Sequence, residues 1–192
     1  MRIIAGKHRG RKLLAPEDSS VRPTAERARE ALFDILAHGR LSEGPAFADA
    51  LVLDAFAGTG AFGLEALSRG ARRAIFMEKD RAVRVVLEQN IAALGEGKQA
   101  QVLPADATRP PRAGGACSLA FLDPPYREDL AAPALTALAA MGWFAPDALI
   151  IIELAARAGL DAPAAFEAIE ERRYGAAKFA FLRYRGGKSA GP

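Results

Sequence analysis

The sequence predicts an α/β fold in which a Rossmann-like, mostly parallel sheet is covered by helices on both faces. Short, continuously apolar segments alternate with helical segments between residues 51 and 152, which is the pattern of buried parallel strands. A glycine-rich loop follows the first of these strands. The chain then ends in two strand-like segments that turn near Gly175, which favours a final antiparallel pair over a helix in residues 166–185.

Residues 1–38 are predicted to form a small basic hairpin, a loop and one helix. Arg2–Ala5 and Lys12–Ala15 flank a polar stretch that contains two glycines, as in a hairpin. Apolar residues then recur every three or four positions up to Leu36, which indicates an amphipathic helix. Thr24 precedes this pattern and is the candidate N-cap.

The remaining predicted elements alternate along the chain. Strands are expected at residues 51–53, 74–77, 101–103, 119–122 and 148–152. Helices are expected at residues 61–69, 80–94 and 130–141, and a glycine ends each of the first two. A ligand of such a sheet is expected at the carboxyl ends of the strands.

The composition is that of one globular domain. The chain has 192 residues, of which 51% are hydrophobic and 26% charged, so it has enough apolar residues for a sizeable core. Cys117 is the single cysteine, so neither an internal disulfide nor a cysteine-based metal cluster is expected, and we expect no metal. Residues 1–15 lack the apolar segment of a secretory signal, and no apolar run approaches the ~18 residues of a membrane span. We therefore expect a cytoplasmic protein.

Positive charge is concentrated at the two ends of the chain, although the net charge is only +3. Residues 1–15 hold five lysines and arginines and no acid, and six lysines and arginines but no acid follow Glu171. Two basic ends suggest a polyanionic partner. Solubility is the alternative explanation, so charge alone leaves nucleic-acid binding open.

The glycine-rich loop after the first strand predicts a nucleotide-like ligand. Gly58, Gly60 and Gly63 form a G-x-G-x-x-G pattern between a strand and a helix. Asp54 precedes them, and its carboxylate would repel a pyrophosphate and favour a cation. S-adenosylmethionine carries an ammonium and a sulfonium and no phosphate, so it is the expected cofactor. The alternative is a helix-capping aspartate with glycines that serve close packing.

Two further acids follow strands and complete the predicted cofactor site. Glu78 ends the second strand at a distance from the loop that suits the two hydroxyls of a ribose. Asp106 follows the third strand, where it could accept a hydrogen bond from an adenine amino group. A surface acid and a turn-forming aspartate are the respective alternatives. The residues expected to contact the cofactor are Asp54, Phe56, Gly58, Thr59, Gly60, Glu78, Asp106 and Ala107.

Asp123, Pro124, Pro125 and Tyr126 directly follow the fourth strand and form the most specific motif of the chain. Proline has a fixed φ and no N–H, so the carbonyl of Pro124 is held rigidly beside the Asp123 carboxylate. Two rigid acceptors fit the two N–H groups of an exocyclic base amine and would direct its lone pair toward a methyl donor. Preorganised contacts of this kind contribute about 2.7–4 kcal/mol each. Tyr126 would stack on the extruded base. The alternative is a strand-ending turn with a packed tyrosine.

The sequence resembles the RsmD-type methyltransferases, which modify the exocyclic N(2) of one guanine in bacterial small-subunit (16S) ribosomal RNA. The resemblance rests on the Asp54–Gly63 loop, on Asp123–Tyr126, and on several segments near the amino terminus. Those segments are Met1–Gly6, Arg9–Leu13, Arg22–Thr24, Arg27 and Arg29–Phe33. The resemblance implies a class I S-adenosylmethionine-dependent methyltransferase fold with seven strands, of which the last is antiparallel.

The resemblance also implies which parts of the chain bind RNA and which carry out the reaction. Residues 1–23 would be a basic hairpin and loop, residues 24–188 the methyltransferase domain and residues 189–192 a tail. The expected RNA contacts are Arg2, Lys7, Arg9, Arg11, Lys12, Arg22, Thr24 and Arg27. Asp123 to Tyr126 would hold the target guanine, and S-adenosylhomocysteine would be the product. The expected partner is 16S rRNA in an assembling or assembled small subunit. The protein is expected to be a monomer, and no membrane partner is expected.

Three alternative functions remain open from the sequence. The same chemistry on DNA adenine N(6) is disfavoured because 192 residues leave no room for a substantial target-recognition domain. A non-catalytic RNA-binding module is disfavoured because Asp54, the glycines and the complete Asp-Pro-Pro-Tyr motif are all present. A nicotinamide oxidoreductase is disfavoured by Asp54 and by the lack of a clear catalytic acid–base residue.

Overall fold

The fold is described from a computed structural model that covers residues 1–15, 23–38, 41, 46–125 and 129–186, without the side chains of residues 23–25. Several predicted features lie outside the described residues. They are Arg22, the side chain of Thr24, Tyr126 and the tail at residues 189–192.

Seven strands and four helices make up the described part of the chain. The strands are β1 (Leu51–Ala55), β2 (Arg73–Met77), β3 (Ala100–Leu103), β4 (Cys117–Leu122), β5 (Phe144–Ala155), β6 (Phe166–Tyr174) and β7 (Ala177–Tyr184). The helices are α1 (Pro23–His38), α2 (Ala61–Ser68), α3 (Arg81–Leu94) and α4 (Ala131–Ala140). Every predicted strand and helix has a counterpart, and the alternative of a helix in residues 166–185 is wrong.

The strands form one sheet in the order β3-β2-β1-β4-β5-β7-β6. β1 to β5 pair with one another in parallel, whereas β7 is antiparallel to both β5 and β6. The prediction of a mostly parallel sheet with an antiparallel end is therefore confirmed. β1 is the middle one of the five parallel strands, so the loop that follows it opens at the middle of the parallel part of the sheet edge.

Hydrophobic side chains form one core on each face of the sheet. Successive strand residues point to opposite faces, so Val52 belongs to one core and Leu53 to the other. The first core also contains Phe33, Phe62 and Phe121, and the rings of Phe62 and Phe121 stack with their centroids 4.3 Å apart. Aromatic packing therefore connects α1 and α2 to β4 directly beneath the candidate site.

Two element boundaries differ from the predictions. α1 begins at Pro23, so Thr24 lies in the first turn of the helix and is not its N-cap. Proline suits the first helical position because its φ is fixed and because an N–H, which proline lacks, would have no partner there. β5 begins at Phe144 because its pairing with β4 continues through a register shift, and Asp147 has a φ of 57° there. Such an irregularity hides the start of a strand from an analysis of apolar runs.

Residues 1–15, here called the N-terminal arm, fold back on themselves and pack on α2 and α3. Arg2 and Lys12 form an antiparallel bridge, and Ile3 and Leu13 are buried in the first core. The buried carboxylate of Glu65 in α2 accepts hydrogen bonds from the Ile4 and Ala5 N–H groups at 2.7 and 3.0 Å. The arm is thus anchored by its backbone, which leaves its basic side chains available at the surface.

Asn90 of α3 joins the N-terminal arm to the glycine-rich loop. Its side-chain oxygen accepts from the Leu14 N–H at 2.7 Å, and its amide donates to the carbonyls of Leu14 and Thr59 at 3.1 and 3.0 Å. Asn90 is 1% exposed, so these bonds are shielded from water. None of the helices in the described ranges has the length and hydropathy of a membrane span.

Candidate active site

Two neighbouring cavities open at the carboxyl ends of β1, β2 and β4. The larger, here called the acidic cavity, has a volume of about 270 Å³, and its lining includes Asp54, Asp123 and Glu153. The smaller, here called the loop cavity, has a volume of about 150 Å³, and its lining includes Glu78 and Asp106. Phe56 and Asp123 line both cavities, so the two form one continuous cleft.

Asp54 lies at the end of β1 and points under the glycine-rich loop. Its side chain is 2% exposed, and Oδ2 accepts a hydrogen bond from the Gly63 N–H at 2.9 Å. Burial raises the pKa of Asp54 to about 8, and the charge of Glu78 adds to this, while the Gly63 hydrogen bond acts in the opposite direction. A cation in the acidic cavity would offset this burial and favour the charged carboxylate.

The glycine-rich loop has the close packing that its sequence pattern predicts. Gly60 has a φ of 82°, and a Cβ atom there would lie 2.4 Å from Leu87 Cδ1. A Cβ atom on Gly63 would lie 2.4 Å from Phe76 Cε1. Phe56 has a φ of 63°, an unfavourable conformation for a residue with a side chain. The strained backbone at Phe56 places this ring between the two cavities.

Glu78 holds the glycine-rich loop against the end of β2. Its Oε2 accepts from the Gly58 N–H at 2.9 Å, and its Oε1 accepts from the Asp80 N–H at 2.8 Å. A carboxylate has about four acceptor positions, so these two bonds leave positions for two hydroxyl groups. The side chain lines the loop cavity, where we predicted a ribose.

Asp106 stabilises its own turn and also lines the loop cavity. Its Oδ1 accepts from the N–H and the hydroxyl of Thr108 at 2.9 and 2.7 Å, and Lys79 Nζ lies 3.6 Å from Oδ2. The hydrogen bonds from Thr108, followed by the positive charges of Lys79 and Arg109, lower the pKa of Asp106. Ala107 is buried beside it in the same cavity wall. The structural and the cofactor-binding explanations of Asp106 are therefore compatible.

Asp123 lies where the two cavities meet, directly after β4. Desolvation by the surrounding protein raises the pKa of its carboxyl well above the usual range, and the charges of Glu153 and Asp54 raise it further. Pro124 is buried, whereas Pro125 is exposed and lines the loop cavity. The first three residues of the Asp-Pro-Pro-Tyr motif thus border the cleft; Tyr126 lies outside the described residues.

The sequence analysis missed Arg29 of α1 and Glu153 of β5, which both line the acidic cavity. Each carried a recognisable signal. Arg29 shares the buried face of α1 with Leu32 and Phe33, an unusual position for an arginine. Glu153 directly follows the apolar run at residues 149–152, as Asp123 directly follows β4.

The basic residues expected to contact RNA differ in their surroundings. Three of them already have partners in the protein: Arg2 Nε lies 2.6 Å from Glu26, Lys7 Nζ 2.8 Å from Glu96, and Arg11 donates to the Ala93 carbonyl at 2.7 Å. All six are exposed, but Arg9, Lys12 and Arg27 have no such partner among the described residues. These three are the better candidates for contacts with another molecule.

Comparison with known proteins shows the family of the chain. A family model described as "Conserved hypothetical protein 95" matches residues 1–183. A relative from Escherichia coli (strain K12), named Ribosomal RNA small subunit methyltransferase D, is 42% identical over 160 residues, which are 83% of this chain and 77% of the relative. The chain belongs to the RsmD-type family. A relative of the same name from Haemophilus influenzae is 35% identical over 179 residues, which cover 91% of this chain and 89% of the relative.

Solved structures confirm the class I methyltransferase fold of this RsmD-type protein. The structure of yhhF from Escherichia coli superposes with a TM-score of 0.83 at 39% identity and covers 97% of this chain and 98% of that chain. A Pyrococcus horikoshii protein with only 17% identity still reaches a TM-score of 0.64, which reflects the shared fold. Because the family model begins at residue 1, the N-terminal arm is part of what the family shares.

Proposed function

We propose that this protein transfers a methyl group from S-adenosylmethionine to the exocyclic N(2) of a guanine in 16S ribosomal RNA. The observation that carries the proposal is the position of Asp123, which borders both cavities of the cleft. One side chain can thereby face a ligand in either cavity and a base that enters between them. Support for the RNA substrate comes from the relatives named Ribosomal RNA small subunit methyltransferase D.

The residues of the cleft fit S-adenosylmethionine. Asp54 supplies a buried negative charge for an ammonium, Glu78 has acceptor positions for a ribose diol, and Asp106 lies in the same cavity for an adenine amine. Phe56, Gly58, Thr59 and Gly60 complete the predicted contacts on the acidic side, and Ala107 on the loop side. When bound, the cofactor supplies an electrophilic methyl group; the protein has to position it.

Asp123 and the Pro124 carbonyl would hold the target amine by accepting its two N–H groups. When the nitrogen gains a methyl group it becomes positively charged, and it must then lose a proton. Desolvation and the neighbouring acids raise the pKa of Asp123, so its carboxylate is a stronger proton acceptor than an ordinary aspartate. In our proposal Asp123 therefore orients the amine first and takes its proton afterwards.

The N-terminal arm would bind the RNA around the target nucleotide. Arg9, Lys12 and Arg27 are exposed, and the arm is attached beside the glycine-rich loop through Asn90. Phosphate contacts from such residues position RNA without reading its sequence. We propose that the partner is the assembling or assembled small subunit and that the protein acts as a monomer in the cytoplasm.

Methyl transfer to ribosomal subunits tests the proposal directly. The protein is incubated with labelled S-adenosylmethionine and small subunits that lack the modification, with duplex DNA in parallel. We expect N(2)-methylguanosine at one site in 16S rRNA, found by nuclease digestion and mass spectrometry. Label on DNA adenine alone would contradict the RNA assignment but retain the chemistry of Asp123, and no transfer to either substrate would contradict both.

A further inference from the structure

The hairpin of β6 and β7 extends beyond the other strands at the edge of the sheet where the cleft opens. Leu122, the last residue of β4, pairs with Ile152, but β5 continues for three more residues and ends at Ala155. At about 3.3 Å per residue, β5 therefore reaches ~10 Å past the end of β4. Ala155 pairs with Ala177 at the start of β7, so the turn between β6 and β7 lies at the end of this extension.

This extension forms one side of the cleft and is here called the hairpin wall. The hairpin wall comprises residues 153–158 and 170–179. Glu153 and Phe179 of the wall line the acidic cavity together with Asp123. Tyr174 packs on Phe179, with their ring centroids 5.8 Å apart. The wall therefore stands directly beside the position proposed for the target base.

Hydrogen bonds inside the hairpin wall fix its two turns against each other. The N–H of Ala156, in the turn after β5, donates to the Ala176 carbonyl at 2.9 Å. Lys178 is 4% exposed, and its Nζ donates to the Ala158 carbonyl at 2.7 Å. The surface that the wall presents is thus formed by the protein itself, before any partner binds.

Most charged side chains of the hairpin wall neutralise one another. Arg172 Nη2 lies 2.8 Å from Glu170 Oε2, and Lys178 Nζ lies 2.8 Å from Glu171 Oε1. These two pairs leave the net charge of the wall to the remaining ionisable groups.

Two exposed arginines of the hairpin wall are available to a partner. The side chains of Arg157 and Arg173 have no hydrogen bond or ion pair among the described residues. Glu153, the remaining acid of the wall, belongs to the lining of the acidic cavity. The wall therefore offers two free guanidiniums outside the cavity, and guanidinium groups suit phosphate.

The order of the strands places the cleft between two basic surfaces. The N-terminal arm is joined to the loop after β1 through Asn90, and the hairpin wall follows β5. Asp123 follows β4, which lies between β1 and β5. A base extruded into the cleft leaves its backbone at the entrance, and the strand continues on both sides of that base. Contacts with the arm alone would hold only one of these two sides.

We propose that the hairpin wall is a second RNA-binding surface, in which Arg157 and Arg173 bind backbone phosphates on the side of the cleft opposite to the N-terminal arm. This inference rests on the proposed function and adds a substrate-binding surface to it. An acidic surface of a ribosomal protein is the other partner that two arginines could bind. RNA is favoured because the wall borders the cavity that the base enters, so the phosphates next to that base are close by.

Removal of the two free arginines tests the surface. The variant is Arg157→Gln/Arg173→Gln, and the control is Arg72→Gln/Lys98→Gln, which removes two exposed charges shortly before β2 and β3 on the opposite edge of the sheet. Filter binding at several salt concentrations compares protein-free 16S rRNA with small subunits that lack the modification. Methylation of the same subunits gives KM and kcat, and calorimetry with S-adenosylhomocysteine checks that the cleft is intact.

We expect the variant to bind protein-free 16S rRNA and small subunits about 10- to 30-fold more weakly at 0.15 M salt if both phosphate contacts are lost. The slope of log K against log salt should fall by about 0.7–0.9 per lost contact. The loss should appear in KM for subunits rather than in kcat, because such contacts bind substrate and transition state alike. The control should match the unmodified protein in every measurement.

Three outcomes would overturn the surface while the proposed function stands. If only binding to subunits weakens, the wall contacts a ribosomal protein. If neither binding changes, the wall contacts nothing in the substrate. If the control weakens binding equally, the effect is one of total charge. Failure of the unmodified protein to methylate subunits would instead contradict the proposed function itself.

Discussion

Asp54, Asp123 and Glu153 lie near the carboxyl ends of three adjacent strands, β1, β4 and β5, and face one cavity. Burial raises the pKa values of Asp54 and Asp123, and the charges of Glu153 and Asp54 raise that of Asp123 further. Such a cluster is unfavourable for folding unless a ligand or a proton offsets the charges. The physical explanation that fits best is a binding site for a cationic group next to a proton acceptor.

Replacing Asp123 by asparagine should separate chemistry from binding. Asparagine cannot take the proton of the amine, so we expect kcat to fall by about 10²- to 10³-fold, the loss typical of one preorganised contact. Affinity for S-adenosylhomocysteine should change by less than ~3-fold, about 0.7 kcal/mol. Single-turnover methylation of small subunits and calorimetry give the two values.

Asp129→Asn is the matched control for this experiment, because it removes an exposed carboxylate from the same loop region. It should leave both values unchanged. Turnover of Asp123→Asn close to that of the unmodified protein would refute the role of Asp123.

The raised pKa of Asp54 predicts a specific pH dependence of stability. The folded protein holds a proton on Asp54 up to about pH 8, whereas the unfolded chain loses it near the ordinary value of 3.8. The folded state therefore binds more protons between these limits, and its stability falls as the pH rises through this window.

Relative to Asp54→Asn, the free energy of unfolding of the unmodified protein should therefore decrease between pH 4 and pH 8, by at most ~1.4 kcal/mol per pH unit. Urea unfolding at several pH values measures the difference. Asp161→Asn, which removes an exposed carboxylate, should show no comparable trend. A constant difference for Asp54→Asn would mean that Asp54 is ionised throughout.

Among the individual site residues, the sequence analysis identified the acids that follow strands but did not identify Arg29. Asp54, Glu78 and Asp123 are recognisable because the parallel order of the strands brings their ends together at one edge. Arg29 reaches the cleft only through the packing of α1 against α2 and β4, a tertiary contact that no local pattern specifies. Glu153 was within reach of the same strand-end reasoning.

The N-terminal arm is attached to α2 by contacts between chain segments far apart in sequence. The Ser68 carbonyl accepts from the Lys7 N–H at 2.8 Å, and the Ser68 hydroxyl donates to the Ala5 carbonyl at 2.6 Å. Gly6 lies against the end of α2, where a Cβ atom would be 1.9 Å from the Ser68 carbonyl oxygen. The arm can approach α2 this closely only because residue 6 has no side chain.

Substitution of two glycines in the arm should reveal the importance of this contact. Gly6 and Gly10 have nearly equal φ angles, 80° and 82°, but a Cβ atom on Gly10 meets nothing within 4 Å. Gly10→Ala should therefore lower the free energy of unfolding only by the cost of the left-handed backbone conformation, about 1–2 kcal/mol. Gly6→Ala must also displace the arm, so its free energy of unfolding, measured by urea unfolding, should fall by clearly more. Equal losses would show that the arm does not depend on its contact with Ser68.

The elements were predicted well wherever their signals are local. α3 illustrates this: the Asp80 side chain caps its start by accepting from the Ala82 and Val83 N–H groups, and Gly95 ends it in a left-handed conformation. The start of β5 was missed because the strand is held by pairing with β4 across an irregularity, which depends on the partner strand. The anchoring roles of Glu65 and Asn90 also require knowledge of the docked arm.

At the scale of the whole molecule, exposed positive charge is expected to govern RNA binding. Of the exposed residues predicted to contact RNA, the side chains of Arg2, Lys7 and Arg11 already have partners in the protein, whereas those of Arg9, Lys12 and Arg27 have none among the described residues. The second set can release counterions from RNA without breaking an internal contact.

Replacing Arg9, Lys12 and Arg27 together by alanine should weaken 16S rRNA binding and reduce its salt dependence. Each lost phosphate contact should lower the slope of log K against log salt by about 0.7–0.9. Filter binding at several salt concentrations gives this slope.

The control for this experiment removes the same number of charges, Arg72, Arg73 and Lys98, at the amino ends of β2 and β3 on the opposite edge of the sheet. If the control alters the slope and the first variant does not, RNA binds elsewhere than the arm.

The position of β1 between β2 and β4 has a consequence for the newly made chain. β1 leaves the ribosome before either of its neighbours, and its second edge is closed only by β4, whose last residue is Leu122. Until then the unpaired N–H and C=O groups along this edge of Leu51–Ala55 are open to pairing with other chains, which is a known route to aggregation. The interval between synthesis of β2 and β4 is therefore the stage at which we expect nascent chains to depend most on chaperones.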